Sequence, residues 1–401
     1  MQTDLFDRYR VIDVDTHVSE PYDLWTSRVS SKWGDLVPHV VRVPETGVDH
    51  WAIGDTLILP SGVTAMAGYD GMLPDHPPTL DQAHPACHDA RARVKLLDDE
   101  GIHAQILYPN VGGFGSGRFL KLGEPALMLE CVRAYNDFLV DWCSVAPERL
   151  IAVTALPFWD VRESVREIER CAARGHRGVL FGSRPDSFGQ PLLADPYWDP
   201  IWAAAQDARM PISFHIGSQE IPTVAEMQKG VVQKASAWKG LGIHCNLARQ
   251  SVMLFMDNVQ CIADVILGGV CHRFPRLDFV SVESGAGWVP FALEALDWQW
   301  GNNGVRREHP EYDLLPSEYF RRQIYACFWF EEASLRPALE RLAGNLLWET
   351  DYPHPTCQHP GPTGGWARRP REYAEHALRG VAEPVLRQVL HDNAAALYGL
   401  D

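Results

Sequence analysis

Short apolar runs of strand length alternate along the chain with longer segments whose apolar positions recur at helical spacing. Runs of this kind are typical of strands buried on both faces of a parallel sheet. The pattern predicts eight strands, near residues 10–15, 103–109, 150–157, 177–182, 210–216, 277–283, 324–330 and 345–351.

Amphipathic helices are expected between these strands. The first ends at Gly101, a residue type that favours helix C-termini, and Pro337 is expected to kink the last. The clearest helical patterns cover residues 88–101, 161–175, 195–210 and 331–344.

Eight strands that alternate with helices indicate parallel βαβ units, and the count favours a (β/α)8 TIM barrel over a doubly wound open sheet. We expect one domain over residues 1–401. Residues 22–87 form a Pro- and Gly-rich insertion after the first strand, predicted to be a lid within that domain. Residues 219–260 form a second long crossover. A plain structural excursion or a dimer contact is the alternative for each.

Composition narrows the classes of partner. The net charge of −16 argues against nucleic acid and anionic membranes, although an anionic small molecule still fits a locally positive site. The first ten residues, MQTDLFDRYR, lack the apolar run of a secretory signal, and no later stretch reads as a membrane span. Nine cysteines without a CxxC pair indicate reduced thiols, so we predict a cytoplasmic protein.

Polar residues gather where four of the predicted strands end. In (β/α)8 barrels these carboxyl ends meet at one mouth, which carries the active site. Imidazole and carboxylate groups are ligands that zinc, manganese and iron accept. We predict metal ligation by Asp15, His17, His215, Glu283, Asp351 and His354, with Glu20 and His244 as weaker candidates.

Each of these residues also has a purely structural explanation. His215 could be a hydrogen-bonded core histidine, Asp351 could cap a helix, and Glu283 could pair with an arginine. Asp13 is expected to hydrogen-bond the backbone. Ligand types at four separate strand ends are nevertheless hard to explain without a metal.

Four motifs, DVDTH, PISFHIG, ESGAGWVP and WETDYPHP, resemble the amidohydrolase-2 family, which includes aminocarboxymuconate semialdehyde decarboxylase and aromatic acid decarboxylases. The resemblance covers nearly the whole chain apart from residues 22–87. It implies an amidohydrolase-type barrel, a homodimer, and metal ligation by Asp15, His17, His215 and Asp351.

This sequence departs from the family pattern in ways that bear on its chemistry. Aspartate replaces the first histidine of the strand-one pair, Glu283 stands where a strand-six histidine acts in the family, and strand four has no lysine for a carbamylated bridge. The carboxylate-for-histidine pattern is similar to a non-haem di-iron monooxygenase of the platensimycin pathway. Three carboxylates with spare imidazoles therefore favour two divalent ions, with iron preferred over zinc or manganese.

The first hypothesis is an O2-dependent di-iron monooxygenase that hydroxylates a CoA thioester or another carboxylate-bearing small molecule. The alternative is a zinc- or manganese-dependent hydrolase or non-oxidative decarboxylase. A non-enzymatic binding protein on the same barrel is a third possibility. In the enzyme hypotheses Glu283 and His354 are the predicted catalytic groups.

Candidate substrate contacts come from the loop LYPNVGGFGSGRF and from tryptophans. Arg118 is expected to pair with an anionic group of the substrate. Trp25 and Trp288, with Phe181 and Trp238, are expected to wall an apolar cavity, with core packing as the alternative.

Overall fold

The structure is a computed structural model that describes residues 4–219, 240, 242–363 and 365–400. Its strands fall into an eight-stranded sheet and a separate three-stranded sheet. They are β1 (Val11–His17), β2 (His39–Val43), β3 (Val48–Ile53), β4 (Thr56–Pro60), β5 (Ile102–Tyr108), β6 (Leu150–Ala155), β7 (Gly178–Phe181), β8 (Ile212–His215), β9 (Phe279–Val282), β10 (Ile324–Phe328) and β11 (Leu346–Trp348).

Helices connect the strands of the larger sheet. Among the described residues the α-helices are α1 (Leu5–Arg8), α2 (Leu24–Arg28), α3 (Ala90–Glu100), α4 (Pro125–Cys143), α5 (Val161–Ala172), α6 (Asp199–Ala208), α7 (Ile243–Leu267), α8 (Val270–Arg273), α9 (Val289–Asn302), α10 (Pro316–Gln323), α11 (Leu335–Leu342), α12 (Pro370–Ala377), α13 (Glu383–Arg387) and α14 (Asn393–Tyr398).

The larger sheet runs β1, β5, β6, β7, β8, β9, β10, β11, and every neighbouring pair is parallel. The first strand and the segment that follows the last strand meet through a parallel bridge between Thr16 and Tyr352. Two backbone hydrogen bonds reinforce this seam: the His17 N–H donates to the Tyr352 carbonyl (2.6 Å), and the Asp351 N–H donates to the Asp15 carbonyl (3.0 Å). The sheet is therefore a (β/α)8 barrel, and the prediction of a barrel rather than an open sheet is confirmed.

The sequence explains the local structure of the barrel. All seven residues of β1 are buried, as in a parallel strand covered on both faces. Helix α3 begins after Asp89, whose carboxylate accepts a hydrogen bond from the Ala92 N–H (2.7 Å), and ends at Gly101 with φ of 74°.

The predicted kink in the last of the four helices is wrong. The helix begins at Leu335 and ends at Leu342, so it is shorter than the predicted range of 331–344. Pro337 consequently lies in the first turn, where its missing N–H would have no partner inside the helix in any case.

The insertion at residues 22–87 contains α2 and the antiparallel sheet β2–β3–β4. Trp25 of α2 and Trp51 of β3 pack edge to face in the hydrophobic core. The N–H groups of Met66 and Ala67 donate to the Pro353 carbonyl, at 2.8 and 3.1 Å, in the loop that follows β11. The insertion thus contacts the mouth of the barrel. A lid function and a single domain over the whole chain stay predictions.

The crossover at residues 219–260 lies partly outside the described residues, and its described part enters α7. By length and composition alone, α7 could cross a membrane: 28% of its most apolar 18-residue window is buried. The sequence-based expectation that no stretch resembles a span overlooked this helix. One such helix is weak evidence for a membrane span.

Candidate metal centre

The structure brings together the six polar residues predicted at the strand ends. Asp15 and His17 lie on β1, His215 ends β8, Glu283 follows β9, and the remaining two follow β11. Their ligand atoms form three groups, and within each group these atoms lie within 4.8 Å of one another. The groups are Asp15, His17 and His215; His17, Asp351 and His354; and Asp15, Glu283 and Asp351.

The cluster is closed to solvent on most sides. The side chains of Asp15, His17, His215 and Asp351 have no exposed surface. Glu283 is 11% exposed, and His354 is 9% exposed. These last two side chains are therefore the members of the cluster nearest to an incoming substrate.

Two histidines turn their Nε2 atoms toward each other. Nδ1 of His17 lies 3.1 Å from the Pro109 carbonyl, and Nδ1 of His215 lies 2.8 Å from the Ile216 carbonyl. Because a carbonyl only accepts, each Nδ1 carries a proton, and in a neutral ring the lone pair is then on Nε2. The two Nε2 atoms are 3.1 Å apart. A proton or a metal ion is needed between these two nitrogens. Burial opposes positive charge here, but the Asp15 and Glu283 carboxylates outweigh it and raise the pKa of His215.

His354 presents a lone pair in the same way. The Asn110 amide nitrogen donates to the Val18 carbonyl (2.8 Å), so its oxygen accepts from Nε2 of His354 (2.7 Å). The other ring nitrogen, Nδ1, then has no proton and faces Oδ1 of Asp351 at 2.8 Å. A cation or a proton is needed between these two acceptors.

The carboxylates of the cluster lack compensating donors. Within the described part of the chain, both carboxylate oxygens of Asp15 and Oδ1 of Asp351 are buried and accept no hydrogen bond. The ion pairs of this part of the chain pair Asp15 and Glu283 with the imidazoles at 3.4–3.5 Å and with no lysine or arginine. A buried carboxylate is costly without a positive partner. The donor set therefore fits a divalent metal ion.

Burial largely determines the protonation states of two of the histidines and of Glu283 in the cluster. It lowers the pKa of His17 to about 3, helped by His354, and it lowers the pKa of His354 to about 3. Burial and the neighbouring Asp351 carboxylate raise the pKa of Glu283 well above its usual value. His17 and His354 are thus neutral, and Glu283 favours its protonated form.

Two of the carboxylate residues have an unusual backbone conformation. Glu283 and Asp351 both have φ of 59°, in the left-handed region that residues with a Cβ rarely adopt. The Glu283 N–H is held by Oε2 of the buried Glu349 (3.3 Å), and the Asp351 N–H by the Asp15 carbonyl. Strain of this kind concentrates at functional sites, where it aims a side chain.

A phenylalanine that was not singled out in the sequence covers one side of the cluster. Phe114, in the glycine-rich loop after β5, lies 4.0 Å from His215 and 5.2 Å from His17 between ring centroids. A small pocket beside it is lined by Arg118, Lys121 and other residues of this rim. Phe114 and Asn110 were both missed, although the loop itself was recognised.

Arg118 and Trp288 remain candidates for substrate contact. Arg118 lines the pocket and donates to the Asn110 carbonyl (2.8 Å), and burial lowers its pKa to about 10. Trp288 is half-buried just before α9, and its indole N–H has no hydrogen-bond partner among the described residues.

Other predicted site residues lie elsewhere. Trp25 is fully buried in the core and donates to the Cys131 carbonyl (3.0 Å), so packing accounts for it and we assign it no substrate contact. Glu20 accepts from the N–H groups of Asn110 and Val111 and so supports the loop. His244 is exposed on α7, and Trp238 lies outside the described residues.

A (β/α)8 barrel with histidines and carboxylates at the carboxyl ends of its strands defines a class of barrel enzymes with metal-binding sites. The Amidohydro_2 family model, described as amidohydrolase, matches residues 12–400, so the chain belongs to the amidohydrolase-2 family. The resemblance inferred from the four motifs is confirmed, although its di-iron branch is not shown.

Several relatives of this chain are gamma-resorcylate decarboxylases. The chain is 27% identical over 278 residues to a gamma-resorcylate decarboxylase of Polaromonas sp. (strain JS666), covering 67% of this chain and 78% of the relative. An amidohydrolase from Mycobacterium avium subsp. paratuberculosis K-10 superposes with a TM-score of 0.74 at 22% identity, over 98% and 99% of the two chains. A dihydroxybenzoic acid decarboxylase from Polaromonas sp. JS666, solved with manganese and 2-nitroresorcinol, superposes with a TM-score of 0.58 at 18% identity. The match covers 98% of this chain and 97% of that one.

These comparisons overturn the preferred function. The di-iron monooxygenase predicted from the carboxylates is wrong, because the named relatives support the alternative of a non-oxidative decarboxylase. The physical reason is that carboxylate ligands do not select iron by themselves, since manganese accepts them as well. Nothing in these relatives supports a CoA thioester as substrate.

Proposed function

We propose that the chain is a metal-dependent, non-oxidative decarboxylase of hydroxylated aromatic carboxylic acids. The observation that carries the proposal is the pair of Nε2 atoms of His17 and His215, which face each other across 3.1 Å beside buried carboxylates that lack hydrogen-bond donors. The gamma-resorcylate decarboxylases related to this chain support the reaction class.

One divalent cation is the proposed cofactor, in place of the two irons predicted from the sequence. His17 and His215 would hold it through Nε2, with Asp15 and Asp351 supplying oxygens. The ligand atoms gather tightly enough for one ion, and manganese is the first choice because a related decarboxylase structure contains it. When bound, the ion supplies a Lewis acid that orients and neutralises the oxygens of the substrate.

Decarboxylation replaces a C–COO⁻ bond by a C–H bond, so the enzyme has to deliver one proton to the ring carbon as CO2 leaves. Glu283 and His354 are the proposed proton-handling groups, because they are the two cluster members that are not fully enclosed. Glu283 holds a proton on its carboxyl group, since three carboxylates exceed the charge of one divalent ion. His354 keeps its proton on Nε2, toward Asn110, so Nδ1, which faces Oδ1 of Asp351, is the nitrogen that can accept one.

The substrate is proposed to enter beside the loop after β5. Phe114 offers an aromatic face next to His215, where a benzoate ring would stack. Arg118 lies on the same loop and is the proposed partner of an anionic substituent. Trp288 remains a candidate for the opposite wall. A homodimer and a cytoplasmic location stay predictions.

The test is a decarboxylation assay of metal-free protein reloaded with Mn2+, under nitrogen, with a panel of mono- and dihydroxybenzoates. We expect CO2 and the matching phenol in equal amounts, with no dependence on oxygen. Asp351→Asn is expected to abolish turnover. Failure of the Mn2+-loaded protein to decarboxylate any acid of the panel, or an absolute need for O2, would overturn the proposal.

A further inference from the structure

A fully buried arginine lies next to the metal cluster without a carboxylate partner among the described residues. Arg93 of α3 has no exposed surface. Its guanidinium donates to the carbonyls of Ala86 and His17, both at 2.7 Å, and to Oε1 of Gln105 at 3.1 Å. Burying a guanidinium is costly even when its donors are satisfied. One of the three contacts holds the backbone of a candidate ligand, His17.

The hydrogen bonds continue from Arg93 to the opposite side of the barrel seam. Because Oε1 of Gln105 accepts from Arg93, its Nε2 faces Asp13 and donates to Oδ2 at 3.1 Å. Asp13 also accepts from the N–H and the hydroxyl of Thr350, at 2.9 and 2.7 Å. Thr350 immediately precedes Asp351. The chain of contacts therefore starts at one metal-binding segment and ends at the other.

The side-chain contacts add to the backbone pairing of β1 at both of its edges. The register between β1 and β5 shifts between Asp13 and Thr16, and β1 meets the segment after β11 through the bridge from Thr16 to Tyr352 and two backbone hydrogen bonds. Side-chain hydrogen bonds cross-link the strands where the regular ladder is interrupted.

We propose that Arg93, Gln105, Asp13 and Thr350 are positioning residues that hold the two ligand-bearing strand ends in metal-binding geometry. The inference rests on the proposed metal site and assigns these four residues a role at it. The donor and acceptor directions of these hydrogen bonds are fixed: Arg93 donates to Gln105, Gln105 donates to Asp13, and Asp13 accepts from Thr350. Outer partners that orient metal ligands typically contribute 10- to 100-fold to metal affinity, and we expect an effect at the lower end of that range from residues that hold the ligand-bearing backbone.

Because these directions are fixed, the hydrogen bond between Gln105 and Asp13 can be tested by exchanging its donor and its acceptor. Asp13→Asn replaces one accepting oxygen by an N–H₂ group, which then faces either the amide N–H₂ of Gln105 or the Thr350 N–H, and Gln105→Glu places two carboxylates together. In the double variant, the new asparagine donates to the new glutamate, which still accepts from Arg93. The quantities to measure are the Mn2+ dissociation constant of the metal-free protein, by calorimetry, and its thermal unfolding midpoint.

We expect each single variant to weaken Mn2+ binding by at least tenfold and the double variant to come within about threefold of the wild type. A wild-type dissociation constant in Asp13→Asn would overturn the positioning role, and so would a double variant no better than the single ones. If the wild-type protein itself does not bind Mn2+, the proposed metal function fails, and this inference fails with it.

A second pair of variants keeps the inference falsifiable if Asp13→Asn does not fold. Thr350→Val removes the hydroxyl contact and is expected to weaken Mn2+ binding, whereas Thr350→Ser is expected to retain it. Thr154→Val is the matched control, because Thr154 is another buried barrel threonine, bonded to His176. It is expected to lower the unfolding midpoint without changing Mn2+ affinity. Equal Mn2+ affinity in Thr350→Val and the wild type would overturn the inference.

Discussion

At the scale of single residues, the cluster is defined by how each side chain is aimed. Carbonyl partners on Nδ1 turn His17 and His215 toward each other, and a left-handed backbone turns Glu283 and Asp351 inward. None of these partners belongs to the three groups of candidate ligands. The site is therefore specified as much by backbone groups as by the residues that would bind the ion.

Glu283 gives the sharpest prediction at this scale. Glu283→Gln keeps the shape of the side chain but removes the proton it could donate. We expect kcat to fall by about 10²- to 10⁴-fold, the usual contribution of a general acid, while bound Mn2+ stays near one equivalent by metal analysis. The control is Glu332→Gln, an exposed residue paired with Arg368, which should leave kcat unchanged. Activity of Glu283→Gln within threefold of the wild type would exclude the role.

At the scale of elements, the strands could be predicted because buried parallel strands are continuous apolar runs. The run at 324–330 shows the limit of that signal: the strand ends at Phe328, and Phe330, although apolar, is 47% exposed. The polar groups at the mouth could be predicted because they follow strands. Phe114 and Asn110 could not, because their positions depend on the path of a loop rather than on periodicity.

The loop after β5 owes that path partly to Gly113, which has φ of 82°. Gly113→Ala would place a Cβ in ordinary contact with Arg118, 3.5 Å away, so its cost is the backbone strain of about 1–2 kcal/mol. We expect kcat/KM to fall about tenfold, because this loop carries Phe114.

The matched control for the loop is Gly54→Ala, in the turn between β3 and β4. Gly54 has φ of 53° and open space where a Cβ would lie. The Gly54→Ala variant should lose about as much stability in thermal unfolding as Gly113→Ala does, but its kcat/KM should equal that of the wild type. Equal kinetics in the two alanine variants would contradict a role for the loop in substrate binding.

At the scale of the whole molecule, the fold and family could be inferred from sequence, but the chemistry could not. Glu283 in place of a histidine was interpreted as a sign of iron, yet the preferred metal of a site depends on geometry and availability as well as on ligand type. The net charge of −16 also gave no information about the reaction, because the chemistry of the site depends on a few buried charges. Comparison with relatives was needed to choose among reactions that one barrel can support.

The last prediction concerns how metal binding is linked to the stability of the whole chain. Without metal, the buried carboxylates repel one another and lack hydrogen-bond donors, so the cluster should destabilise the fold. An ion that binds only the folded state stabilises it by about 2.7 kcal/mol at a hundredfold excess over its dissociation constant. We therefore expect the unfolding midpoint to rise with the logarithm of Mn2+ concentration.

Without metal, Asp351→Asn should be more stable than the wild type, although it should bind Mn2+ less well. The new amide can donate to Nδ1 of His354, 2.8 Å from the present carboxylate oxygen, and one buried negative charge is removed. The metal-free variant should thus unfold at a higher temperature than the metal-free wild type, yet gain little from Mn2+. Differential scanning calorimetry with and without Mn2+ checks both parts. A variant that is less stable without metal and equally responsive to Mn2+ would show that the cluster is an ordinary polar core.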